Sequence, residues 1–154
     1  KPITLKENNT DKKSDFGKRV NFVSASLEFD IRNSSQGRFT KTVKINGLTI
    51  GALPEAGKEW AHCFLPLPSE STSQISLLNE LEIAIPETAL INGILRDKKD
   101  FAVKNLRLVC KDINGKEIVS KMIRQELSFG ENVFSGGLVI KINPVYAKLN
   151  FKGE

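Results

Sequence analysis

From residue 19 onward the chain alternates apolar and polar side chains with a period of two. Successive residues of a strand point to opposite faces, so this pattern predicts strands that bury one face each. In RVNFVSASLEFDI, residues Val23, Ala25, Leu27, Phe29 and Ile31 share a face, and Ser24, Ser26, Glu28 and Asp30 share the other. In FTKTVKI, Phe39, Val43 and Ile45 face one way, with Lys41 interrupting that face near the strand's start. Ile75, Leu77, Leu81, Ile83 and Ile85 form another apolar row, with Glu80 and Glu82 opposite. Near the end, Val145, Ala147, Leu149 and Phe151 alternate with Tyr146, Lys148 and Asn150.

Two Asn-Gly pairs set the expected registers. A two-residue turn at Asn46-Gly47 pairs Ile45 with Leu48 and Val43 with Ile50, which keeps four apolar residues on one face. At Asn114-Gly115 a two-residue turn would mix faces. A three-residue loop with a glycine bulge instead pairs Asp112 with Lys116, Cys110 with Ile118 and Leu106 with Met122. Helical signal is confined to Pro86–Leu95, where Gly93 weakens it. Residues 1–18 read as a short first strand near Ile3 and Leu5, then a polar linker. Residues 19–154 read as one all-β domain, an antiparallel two-sheet β-sandwich of jelly-roll type with about ten strands and at most one short helix.

Composition narrows the function classes. The 154 residues carry 23 Lys plus Arg against 18 Asp plus Glu, a net charge of +5. The lysines are scattered, without the clustered basic, aromatic-interleaved surface of a nucleic-acid binder, so no nucleic-acid partner is expected. No apolar run reaches the ~18 residues of a membrane span. The chain begins with Lys1, which suggests a removed signal peptide or a piece of a longer, extracytoplasmic protein. Cys63 and Cys110 leave two readings open, one disulfide or two buried thiols.

Chemical motifs are scarce. His62 is the only histidine, and its neighbour Cys63 points to the opposite face of a strand, so the two do not make a nucleophile–base pair. No zinc, phosphate-loop, nucleophile-elbow or EF-hand motif is present. No catalytic residue is assigned; a small independent hydrolase acting through two carboxylates is the third reading of function. Trp60, His62 and Phe64 share a face of EWAHCFLPLP. That face is either sandwich core or an exposed aromatic strip on which a sugar ring could stack. Tyr146 projects away from the apolar row of its strand. Asp97 and Asp100 in RDKKDF either hold a structural Ca²⁺ or form a solvated turn, and the flanking lysines favour the turn. No other cofactor is expected.

Three segments resemble a known family. Thr42–Gly51 carries a V-x-x-N-G-x-x-x-G hairpin, Trp60–Leu67 followed by Leu78–Ile83 places an aromatic strand before an N-x-L-x-I strand, and Asp100–Leu108 is similar to a D-x-F-x-V-x-N-x-x-L strand. Together these are similar to galactose-binding-like jelly rolls, the accessory and sugar-binding domains of glycoside-hydrolase-type proteins, over about residues 20–123. The resemblance implies a non-catalytic accessory domain that binds carbohydrate, or else one that packs against a neighbouring catalytic domain of the same longer chain. Trp60, His62, Arg96, Asp97 and Tyr146 are the candidate ligand contacts.

Overall fold

The computed structural model describes residues 21–36, 40–84, 90–91, 94–95, 101–128 and 145–151. The expected first strand and linker, and the strand start at Phe39, lie outside these residues, as do Arg96, Asp97 and Asp100. The described strands are β1 (Phe22–Arg32), β2 (Thr42–Ile45), β3 (Leu48–Ala52), β4 (Ala61–Pro66), β5 (Leu78–Ala84), β6 (Leu90–Ile91), β7 (Ile94–Leu95), β8 (Ala102–Asp112), β9 (Glu117–Val119), β10 (Leu127–Ser128) and β11 (Val145–Asn150). One sheet runs β10-β8-β1-β4, with β9 also on β8; the other runs β11-β5-β2-β3; every pairing is antiparallel. The fold is the all-β, two-sheet sandwich that the alternation predicts.

The core forms where the two apolar faces meet. Strand β1 contributes Ala25, Leu27, Phe29 and Ile31, and β8 contributes Val103, Leu106, Leu108 and Cys110. Val43 and Ile45 of β2, Leu81 and Ile83 of β5, and Val145 and Leu149 of β11 close it from the other sheet. Each Val, Leu, Ile or Phe side chain among them contributes roughly 1.5–3 kcal/mol by leaving water. The buried Asn79 also points inward from β5. It is saturated: Oδ1 accepts from the Ser76 and Asn46 donors, and Nδ2 donates to the Ser76 and Leu149 carbonyls. Lys41 is buried as well, its Nζ donating to the Ser35 carbonyl at 3.4 Å.

The turns behave largely as their chemistry demands. Asn46 and Gly47 both take positive φ, 53° and 84°, and Ile45 faces Leu48. Beyond that pair the expectation needs correction. A bulge inserts one residue into β3, so Val43 faces Gly51 rather than Ile50; Val43 and Ile50 are nonetheless both buried. At the second hairpin Cys110 faces Ile118, and the Asp112 N–H donates to the Lys116 carbonyl at 3.0 Å, as a three-residue loop requires. Leu106 faces Ile123, not Met122, because the ladder shifts beyond Ser120, whose hydroxyl accepts the Leu108 N–H.

The helical expectation gives way at Leu90–Ile91 and Ile94–Leu95, and the rest of Pro86–Leu95 lies outside the described residues. Leu90–Ile91 pairs with Ile94–Leu95 as a minimal hairpin, flanking a third Asn-Gly pair in the sequence. So short a segment has no apolar helical face to repay nucleation, whereas Asn-Gly favours a hairpin. The one described helix is a single turn, α1 (Ser69–Thr72), after Pro68.

Candidate functional site

The outward face of the β4-β1-β8 sheet gathers most of the described chemistry. Glu28, Asp30 and Arg32 alternate along β1 on the side away from the core. Register then fixes their neighbours. Asp30 faces His62 of β4 and Lys104 of β8, while Glu28 faces Phe64 and Arg107. Between the Lys104 and Arg107 pairings β8 bulges, and Asn105 there adopts φ 56°. Asn is one of the few residues with a Cβ that visits this left-handed region readily. The bulge keeps Val103 and Leu106 inward and turns Asn105 toward β1.

The result is a closed polar network. His62 Nδ1 donates to Asp30 Oδ1 at 2.6 Å, and Nε2 donates to Glu28 Oε2 at 2.8 Å. Arg107 Nε donates to Glu28 Oε1 at 2.7 Å, and Asn105 Nδ2 donates to Asp30 Oδ2 at 2.8 Å. Ionised carboxylates only accept, so both bonds form together only when both ring nitrogens carry protons and the ring is an imidazolium. The Asp30 hydrogen bond raises the His62 pKa most, against desolvation, with Glu28 adding to the rise. For Asp30, desolvation pushes the pKa up, but the bonds from His62 and Asn105 and the charges of His62 and Lys104 outweigh it, and the net shift is down. An imidazolium with both N–H groups engaged has no lone pair with which to take a proton or bind a metal.

Aromatic side chains border the network. Trp60, His62 and Phe64 face outward, so the core alternative for this strip is set aside. Phe64 is 53% exposed and meets the His62 ring edge-on at 5.3 Å. Trp60 is half-buried beneath two cations, Arg32 at 4.5 Å and Lys104 at 4.2 Å from the ring centroid. Arg32 in turn donates to Glu126 at 3.0 Å.

Tyr146 does not join this group. It is exposed on β11 of the other sheet, whose outward face points the opposite way. There it lines a shallow depression of about 400 Å³ with Glu80, Leu81, Ala147 and Lys148. The structure thus unites Trp60 and His62, separates Tyr146 from them, and does not describe Arg96 or Asp97. It adds Glu28, Asp30 and Arg107, ordinary outward strand residues in the sequence, and Asn105, which alternation puts on the face of Val103 and the bulge turns toward β1. Only cross-strand register brings them together, and no motif encodes it.

The cysteines are both free. Cys63 faces Phe29 and Cys110 faces Ala25, on opposite sides of β1 and four residues apart along it, so a disulfide between them is precluded. Burial pushes the Cys110 thiol up to about 12 and raises that of Cys63. Among the described residues no group of three or more His, Cys, Asp and Glu is arranged to hold a metal ion, and no helix is long and apolar enough to cross a membrane. No family model matches the chain, and no curated protein or solved structure matches it either.

Proposed function

We propose that the chain is a non-catalytic accessory β-sandwich domain of an extracytoplasmic protein, and that it binds carbohydrate on the outward face of β4-β1-β8. The observation that carries this reading is the outward strip of half-buried Trp60 and exposed His62 and Phe64 beside a hydrogen-bonded polar network. Sugar rings have apolar C–H faces and polar rims, so they suit an aromatic platform with fixed hydrogen-bonding groups at its border. Phe64 offers the open platform. Trp60 becomes available when Arg32 and Lys104 swing aside, at a cost of about 0.5–1 kcal/mol for each cation–π contact at an exposed site. The freed cations would then favour an acidic or hydroxyl-rich sugar.

One observation favours a second reading, a module that packs against a protein domain. Arg32 and Lys104 already cover Trp60, and a partner carboxylate could meet them without displacing either. A glycan array followed by calorimetry separates the two. Carbohydrate binding requires that the wild-type domain bind at least one glycan. Phe64→Ala and Trp60→Ala should stay folded and lose roughly tenfold or more in affinity, about 1.4 kcal/mol. If no glycan binds, or if both variants bind like wild type, the carbohydrate reading fails.

A further inference from the structure

The placement of His62 carries a consequence beyond binding. Glu28 and Asp30 stand two residues apart on β1, on the same outward face, and the imidazole bridges them. The far oxygen of each is already taken, by Arg107 and by Asn105. Neither carboxylate can therefore turn away without breaking a second bond. A neutral imidazole has one N–H. Its other nitrogen would then aim a lone pair at a carboxylate oxygen 2.6 or 2.8 Å away. That contact is repulsive, so deprotonation must open one side of the bridge.

We infer that His62 is a proton-operated clamp that fastens β4 to β1, holding both carboxylates when protonated and releasing one when neutral. Among the described residues β4 pairs only with β1, so the clamp and a single backbone ladder hold this edge strand. The charged groups facing the imidazole are Glu28 and Asp30 of β1, with Arg32 further along it, and Lys104 and Arg107 of β8. From its own strand it meets the uncharged Phe64 ring. The cations oppose a proton on His62, but they lie beyond the two carboxylates that touch it. The sign follows: His62 titrates above its ordinary 6.5, so the clamp is fully closed below pH 6.5 and opens as pH rises through the shifted value. This inference does not rest on the binding reading, because it concerns the unliganded domain.

The chain holds one imidazole, so its titration can be followed without assignment ambiguity. In ¹⁵N-labelled full chain, ring-nitrogen shifts should show both nitrogens protonated at low pH and a midpoint above 6.5. Amide exchange in Ala61–Leu65, corrected for the intrinsic pH dependence, should quicken roughly two- to tenfold across that midpoint, while exchange in β5 stays level. Asp30→Asn should move the midpoint down. A midpoint at or below 6.5, or β4 exchange indifferent to it, overturns the clamp. The wild-type measurement decides the matter even if the variant does not fold.

Discussion

Replacing Glu28 with Gln tests whether the outer network contributes to stability or merely decorates the sheet. Gln keeps the shape and removes the charge. The Glu28 side chain is 11% exposed and accepts bonds of 2.7 and 2.8 Å from Arg107 and His62, which are 32% and 54% exposed. Hydrogen bonds to charged groups contribute about 1.5–3 kcal/mol where solvent is excluded, and exposed pairs about 0.2–1. The donors' exposure places each bond between these ranges, and Gln retains one weaker bond. The expected loss is about 1.5–2 kcal/mol at pH 5.5, or roughly 3–8 °C in Tm for a domain of this size. Urea unfolding of wild type, Glu28→Gln, Arg107→Met and the double variant isolates the pair. A coupling energy near ~1 kcal/mol is expected, as for a half-screened charge pair. If the Gln variant loses less than ~0.5 kcal/mol and the coupling is zero, solvent screens the network and the clamp has no energetic basis.

Three further outcomes follow. Asn46→Ala should cost about 2–3 kcal/mol in urea unfolding, because it removes a left-handed turn residue and leaves the buried Asn79 Oδ1 and the Glu80 N–H short of partners; a loss under ~0.5 kcal/mol would refute the stitching of that turn to β5. A thiol reagent should label Cys63 slowly in the native state and Cys110 only on unfolding, and equal native rates would contradict the burial that raises Cys110 to about 12. Because the Asp30 pKa is lowered, its contribution is present above pH 3.8 and fades as pH falls through the shifted value; Asp30→Asn should therefore flatten the acid limb of a Tm-against-pH curve, and an unchanged limb would place acid sensitivity elsewhere.

The sandwich was legible because it follows from alternation and turn chemistry, both local properties. Ala25, Leu27, Phe29 and Ile31 are buried, as a period of two requires, whereas Val23 of the same expected row is exposed where the register shifts between Phe22 and Ser24. Asn46-Gly47 and Asn114-Gly115 set their nearest pairs. Legibility stopped at the bulges, since one extra residue in β3 or β8 costs little and leaves no fixed signature. Asn79 was hidden for a different reason: a polar side chain on an inward face is tolerated only because four hydrogen bonds, two to nearby Ser76 and one each to the distant Asn46 and Leu149, satisfy it. The site was half visible. Trp60, His62 and Phe64 were grouped by spacing along one strand, but their partners on β1 and β8 required the register. Tyr146 was correctly outward, yet outward strand positions exist on both sheets, and alternation does not say which sheet a strand joins.

The position of β1 between β4 and β8 has a consequence for the order of assembly. Its cross-strand partners lie far along the chain: His62 is 32 residues from Asp30, and Arg107 is 79 from Glu28. During synthesis β1 is complete long before β8 leaves the ribosome, so one of its hydrogen-bonding edges stays unpaired meanwhile. An open apolar edge invites pairing with other chains. Glu28 and Asp30, which later hold the network, and Arg32 beside them put charge on the waiting strand, the pattern that discourages aggregation of an exposed apolar edge.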